Sequence, residues 1–130
     1  MRKPILLVDN NPDTLKILTV ILQGEGYSVD IATDGEAALS RVGQQPPQMI
    51  LLDLMLPKLN GVDVCQRLKK NRETRNIPVI IMTAKSNDEA RKGAVTAGAD
   101  SYLLKPFDPA ELVKQVKKFY PANPPLDPRR

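Results

Sequence analysis

The sequence predicts an α/β fold, (βα)5, with one doubly wound parallel sheet and helices on both of its faces. Two observations carry this. Four short apolar runs each stop on polar or turn residues: Ile5-Leu6-Leu7-Val8-Asp9-Asn10, Met49-Ile50-Leu51-Leu52-Asp53, Ile77-Pro78-Val79-Ile80-Ile81-Met82-Thr83 and Ser101-Tyr102-Leu103-Leu104-Lys105-Pro106. Runs that are apolar at consecutive positions read as strands covered on both faces. Between them, helix-capping residues precede apolar residues at helical spacing.

Each element has its own signal. After the first strand, Asn11 caps a helix, Pro12 fits its first turn and Asp13 suits its positive start. Leu15, Leu18 and Leu22 mark the buried stripe, and Gly24 and Gly26 end it. Tyr27 to Thr33 alternates loosely and reads as a strand toward the sheet's edge. Asp34 caps a second helix carrying Ala38, Leu39 and Val42, which breaks at Gly43 and Pro46-Pro47. The strand to Asp53 follows. Pro57 and Gly61 shape a loop before a third helix with Val64, Cys65 and Leu68 inward.

Beyond Thr83, Ser86-Asn87-Asp88-Glu89 forms a capping-box pattern. The helix it opens is rich in small residues, Ala90, Gly93, Ala94 and Ala97, and Gly98 stops it. Two readings stand for that helix: a weakly held element that moves, or one packed closely on the sheet. Asp108-Pro109-Ala110-Glu111 starts the last helix with cap, proline and return carboxylate, and Leu112, Val116 and Phe119 form its apolar face. One domain is expected over residues 1–120. Residues 121–130 hold four prolines and are expected to be a flexible tail or the remnant of a linker.

Composition excludes several classes of function. Hydrophobic content of 42% and charged content of 26% fit a soluble globular domain. No apolar stretch approaches the roughly 20 residues that span a bilayer, and the N-terminus is too short for a signal peptide. A cytoplasmic protein without membrane contact is the expectation. Cys65 is the single cysteine, which rules out an internal disulfide. Histidine is absent, and with it go histidine-dependent nucleophiles and the commonest zinc ligand. Any metal should be a hard, oxygen-bound cation such as Mg2+. The net charge of +4 is partly terminal and reads as a solvated helix face and tail. No aromatic residues interleave with the basic ones, so no direct nucleic-acid contact is expected.

Right-handed crossovers and two covered faces favour the flavodoxin-like strand order 2-1-3-4-5. Ligands bind such sheets at the C-terminal strand ends, near the point where the order reverses. Asp9, Asn10 and Asp53 fall at that point, with Thr83 and Lys105 on the same edge. Two carboxylates, an amide, a hydroxyl and an ammonium there suit a metal ion and a phosphoryl group.

These residues also resemble a known family. Leu7-Val8-Asp9, Leu52-Asp53-Leu54-Met55-Leu56-Pro57 with Gly61, Thr83-Ala84, Ala97-Gly98-Ala99-Asp100 and Lys105-Pro106-Phe107 stand in the order and spacing of the receiver domain of bacterial two-component response regulators. The similarity covers roughly residues 3–120. It implies that Asp53 is the phosphoacceptor, modified to 4-aspartylphosphate. It implies Mg2+ held by Asp9, Asp53 and the backbone carbonyl of Met55. It implies Lys105 on the phosphoryl oxygens, a Thr83 hydroxyl that closes on the phosphoryl group, and Ala84 leaving room for it. Tyr102 stands where the family carries an aromatic switch residue, and Lys105-Pro106 would be a cis peptide. Met55 and Lys85 would flank the water that resets the switch. The implied partners are a sensor histidine kinase or phosphotransfer protein, and a downstream effector on the face of the fourth helix, fifth strand and fifth helix. A weak homodimer through the fourth-helix face stays open. Beyond Mg2+-dependent self-phosphorylation and autodephosphorylation, no enzyme activity is implied.

One position departs from the pattern. The family usually carries two adjacent acids after the first strand; here the second is Asn10. An amide oxygen can ligate Mg2+ but brings no charge, so weaker metal affinity is expected, and a rival reading is a receiver-like interaction module that works without phosphorylation. A haloacid-dehalogenase-type phosphatase would need a second aspartate two positions after its nucleophile; Asp9 is followed there by Asn11 and Asp53 by Met55.

Overall fold

The computed structural model describes residues 3–84 and 88–121. Strands and helices alternate as β1 (Ile5–Val8), α1 (Pro12–Gly24), β2 (Val29–Ala32), α2 (Gly35–Gln44), β3 (Met49–Asp53), α3 (Gly61–Lys70), β4 (Val79–Thr83), α4 (Asp88–Thr96), β5 (Ser101–Leu104) and α5 (Pro109–Phe119). All four strand pairs are parallel, in the expected order β2-β1-β3-β4-β5.

The consecutive apolar runs have a direct physical cause. Side chains alternate across a strand, and both faces of this sheet are covered. Leu6, Val8, Ile50, Leu52, Val79 and Ile81 pack with Ala38, Val42, Val64, Leu68 and Ala94 from α2, α3 and α4. Ile5, Leu7, Met49, Leu51, Ile80 and Met82 pack with Leu15, Leu18, Leu22, Leu112 and Val116 from α1 and α5. Each such Leu or Ile contributes roughly 2 kcal/mol on burial. Ala94 in α4 and Ala97 just past its end are buried, so these small residues serve close packing on the sheet.

The caps follow the sequence. Asn11 Oδ1 accepts the N–H groups of Asp13 and Thr14, Asp34 Oδ1 accepts that of Ala37, and Asp108 Oδ1 accepts that of Ala110. Four details differ from expectation. Gly43 lies inside α2, and the helix stops at Gln45, where Pro46 disfavours a helical conformation for the residue before it. Tyr27 is not in β2 but turns into the core under α1 and α5. Ile77 and Pro78 precede β4; Pro78 has no N–H to pair, and only its carbonyl joins the ladder, accepting from Ile50. Glu111 does not reach back to its cap but accepts from Gln115 Nε2 at 3.3 Å. Lys85, the Ser86-Asn87 half of the capping box and residues 122–130 lie outside the described residues.

Candidate functional site

Register brings the site together. Val8 stands opposite Leu52, so Asp9 and Asp53 follow side by side off β1 and β3. Asp53 is level with Met82, which places Thr83 one step further out on β4. Thr83 is level with Leu104, and the Lys105 N–H donates to the Thr83 carbonyl at 2.8 Å just past the end of β5. Four segments far apart in sequence therefore end on one edge.

The side chains there interact directly. Asp9 is fully buried. Its Oδ1 accepts the Asn11 N–H at 2.9 Å, and its Oδ2 accepts from Lys105 Nζ at 2.6 Å. The same ammonium lies 3.5 Å from Asp53 Oδ2, while Asp53 Oδ1 accepts the Met55 N–H at 3.2 Å. Thr83 is buried at the end of β4. Lys105-Pro106 is a cis peptide, as the resemblance implies. A cavity of about 320 Å³ opens beside the ammonium, lined by Thr14, Ile17, Ala84, Lys105, Pro106 and Phe107.

Two carboxylates share one ammonium, which leaves this trio with one net negative charge. Burial pushes the Asp53 carboxyl above its ordinary range, and the charge of Asp9 adds to the rise; Lys105 and the Met55 N–H pull the other way. This surplus of negative charge on hard oxygens fits a divalent cation. Among the described residues no group of three or more His, Cys, Asp or Glu side chains could hold a metal. A cation here would rest on two carboxylates completed by neutral oxygens and water, a donor set that suits Mg2+.

The other expected residues sit around this centre. Asn10 is exposed, next to Asp9 on the rim. The Met55 side chain is exposed, and its backbone borders Asp53. Tyr102 is half-buried against the core. It also lines a second cavity, of about 310 Å³, with Leu104, Phe107 and Glu111 on the face of β5 and α5. Two residues at the site escaped sequence reasoning. Lys58 adopts a left-handed backbone (φ 65), and its Nζ lies 3.7 Å from Asp34 Oδ2. Gly35 lets α2 touch the loop that follows β3. The helix-cap pattern pointed to Asp34 but not to Gly35 or this contact, and nothing in the sequence marks Lys58.

Comparison with known proteins agrees with this fold. The family model "Response regulator receiver domain" matches residues 5–117. The DNA-binding response regulator MtrA of Mycolicibacterium smegmatis is 42% identical over 117 residues, covering 90% of this chain and 50% of that protein. The chain thus spans about half the length of this relative. The receiver domain of sensor histidine kinase PA1611 from Pseudomonas aeruginosa superimposes with a TM-score of 0.85 at 31% identity, covering 92% of this chain. That structure has a magnesium ion coordinated in its active site cleft. The signal receiver domain of a histidine kinase from Syntrophus aciditrophicus superimposes equally well, TM-score 0.85 at 29% identity, over 90% of this chain and 89% of that one. Among the described residues no helix is long and apolar enough to cross a membrane. With the fold, the carboxylate pair and the lysine in place, the chain belongs to the response regulator receiver domain family of two-component signalling.

Proposed function

We propose that Asp53 accepts a phosphoryl group from the phosphohistidine of a sensor histidine kinase or phosphotransfer protein. The observation that carries this is the single ammonium of Lys105 between Asp9 and Asp53. It holds a positive charge where an anionic nucleophile must meet an anionic phosphoryl group. Asp9, Asp53, the Met55 carbonyl and the Asn10 amide oxygen would hold Mg2+, which offsets the charge repulsion between nucleophile and phosphoryl group.

In the transfer, a carboxylate oxygen of Asp53 forms the new bond to phosphorus. The bond from phosphorus to the partner's imidazole nitrogen breaks, and the imidazole keeps that electron pair. Lys105 acts as a point charge on the transferred oxygens. Thr83 donates its hydroxyl to one of them, and Ala84 at the rim leaves them room. Tyr102 then packs inward, and the face of α4, β5 and α5 changes its preference for an effector protein. Such a change is a shift between two populations of the same fold. Water attacks the phosphorus of the acyl phosphate, inorganic phosphate leaves and the Asp53 carboxylate is regenerated; Met55 beside the site would tune that rate.

This self-phosphorylation and its reversal are the only chemistry proposed. Residues 1–120 form the receiver, and 121–130 serve as a tail or linker. The receiver works in the cytoplasm, touches neither membrane nor nucleic acid directly, and forms at most a weak homodimer. MtrA is by its name a DNA-binding protein; DNA contact is assigned to no residue of this chain. The test is incubation with Mg2+ and a small phosphodonor, read by intact mass. Wild type gains one phosphoryl group, and Asp53→Ala gains none at that site. Wild type left unmodified at high Mg2+ overturns the proposal.

A further inference from the structure

We infer that the first turn of α2 positions the metal- and phosphoryl-binding loop, with Gly35 as the residue on which this depends and the Asp34–Lys58 pair as its second tie. The inference rests on the reading of Asp53 as phosphoacceptor and Met55 as a backbone ligand. It concerns residues that no step of that mechanism uses.

A Cβ added at Gly35 would stand 2.2 Å from the Leu59 carbonyl oxygen, 2.6 Å from the Leu59 Cβ and 2.9 Å from Val64 Cγ2. The first of these atoms is backbone and has no rotamer by which to escape. Gly35 does not have a left-handed φ, so close approach is the reason for glycine here, not turn geometry. By contrast Gly43, in the same helix, has nothing within 4 Å of an added Cβ. The helix start is therefore pressed against residue 59 at one chosen place.

The loop is held from its other side too. A Cβ at Gly61 would lie 2.3 Å from the Asp53 carbonyl oxygen and 2.8 Å from the Leu54 Cα, and the Gly61 N–H donates to the Leu54 carbonyl at 2.9 Å. Between these two contacts the chain passes through the left-handed Lys58, a conformation costing about 1 kcal/mol or more for a residue with a side chain. That cost recurs only where surroundings over-determine it. Here Asp34 supplies part of the hold: Oδ1 caps α2 through the Ala37 N–H at 2.7 Å while Oδ2 faces Lys58 Nζ at 3.7 Å. The loop is thus held by α2 at residues 58 and 59 and by the Asp53–Leu54 backbone at Gly61, and within it the Met55 N–H donates to Asp53 Oδ1. Partners of this kind orient the groups that bind a metal.

The test titrates Mg2+ into the intact, unphosphorylated chain by calorimetry, with circular dichroism to confirm folding. Gly35→Ala weakens Mg2+ binding about tenfold. In parallel, the Mg2+ needed for half-maximal phosphorylation rises. Gly43→Ala leaves both unchanged. Lys58→Asn keeps a residue that tolerates the left-handed backbone but loses the tie to Asp34, and weakens Mg2+ binding about threefold. If Gly35→Ala does not fold, Lys58→Asn decides. A folded Gly35→Ala whose Mg2+ titration overlays wild type would show a packing role only and overturn the inference, as would wild-type affinity in Lys58→Asn when that variant decides. Failure of the underlying reading looks different: Asp53→Ala would then take up phosphoryl as wild type does, whatever the Mg2+ titrations show.

Discussion

At the scale of single residues, Asp9 and Asp53 look alike but respond oppositely to change. Asp9 is wholly buried and holds the ammonium at 2.6 Å. Removing that cation by Lys105→Met leaves a buried charge without its partner and should cost about 3 kcal/mol at neutral pH. Asp53 is the second carboxylate on one ammonium, with its pKa pushed above 3.8 by burial and by Asp9. Its folded form keeps a proton that the unfolded form has lost in the window above 3.8. Stability linked to Asp53 is therefore full below that window and falls as pH rises through it. Asp53→Asn should raise stability at neutral pH in Mg2+-free buffer by about 1 kcal/mol, with the gain shrinking as pH drops toward 4. Thermal melts of both variants at two pH values check the pair. Equal signs at neutral pH would contradict it. The destabilised ionised Asp53 is what the proposed function requires, since the same surplus charge would attract the cation.

At the scale of elements, one lysine joins three segments. Lys69 Nζ, near the end of α3, donates to the Ile77 carbonyl at 2.8 Å, the Arg75 carbonyl at 3.1 Å and Asp100 Oδ2 at 2.7 Å. Asp100 Oδ2 also accepts the Val79 N–H at 2.8 Å, which ties the approach to β5 onto the start of β4. Lys69→Met should lower unfolding free energy by about 2 kcal/mol, because two carbonyls and a carboxylate lose their donor together; urea unfolding measures it. The neighbouring Cys65 shows how tightly α3 and α4 meet. Its Sγ lies 3.5 Å from the Ala97 carbonyl oxygen. Burial pushes its thiol up to about 11, against the opposing charge of Lys69 and with a smaller upward contribution from Asp100. The native thiol should resist alkylation at pH 8 and react only after denaturation. Fast, complete labelling of the native chain would show that α4 opens. The sheet's edge is guarded as well: Asp30 Oδ1 accepts the Ile31 N–H at 3.0 Å and pairs with Arg41, so a backbone donor of β2 is occupied.

At the scale of the whole molecule, chain ends and charge are both organised around the sheet. Tyr27 and Tyr120 meet with ring centroids 5.0 Å apart. The Tyr27 hydroxyl donates to the Tyr120 carbonyl, and the Tyr120 hydroxyl donates to the Lys3 carbonyl at 2.8 Å. The start of β1, the turn after α1 and the end of α5 are thereby closed together, at the edge opposite the site. Tyr27→Phe should cost about 1 kcal/mol, read from denaturant midpoints, with no change in phosphorylation. Acidic residues open α1, α2, α3 and α5, and basic ones close α2, α3 and α5. In a parallel fold this gathers negative charge at the edge carrying the site and positive charge at the other, in the sense each helix dipole favours.

The sequence by itself determined the alternation, the capped helices and the strand order. Apolar runs covered on both faces leave few arrangements, and right-handed crossovers remove most of those. It also named Asp9, Asp53, Thr83 and Lys105, because polar residues closing buried strands must gather at one edge. Only the tertiary structure decided which carboxylate is wholly buried, that one ammonium serves both, and that α2 leans on the loop after β3. Those outcomes depend on distances between segments remote in the chain. Lys58 shows the limit: its left-handed backbone follows from what surrounds it, and no neighbour in sequence signals it.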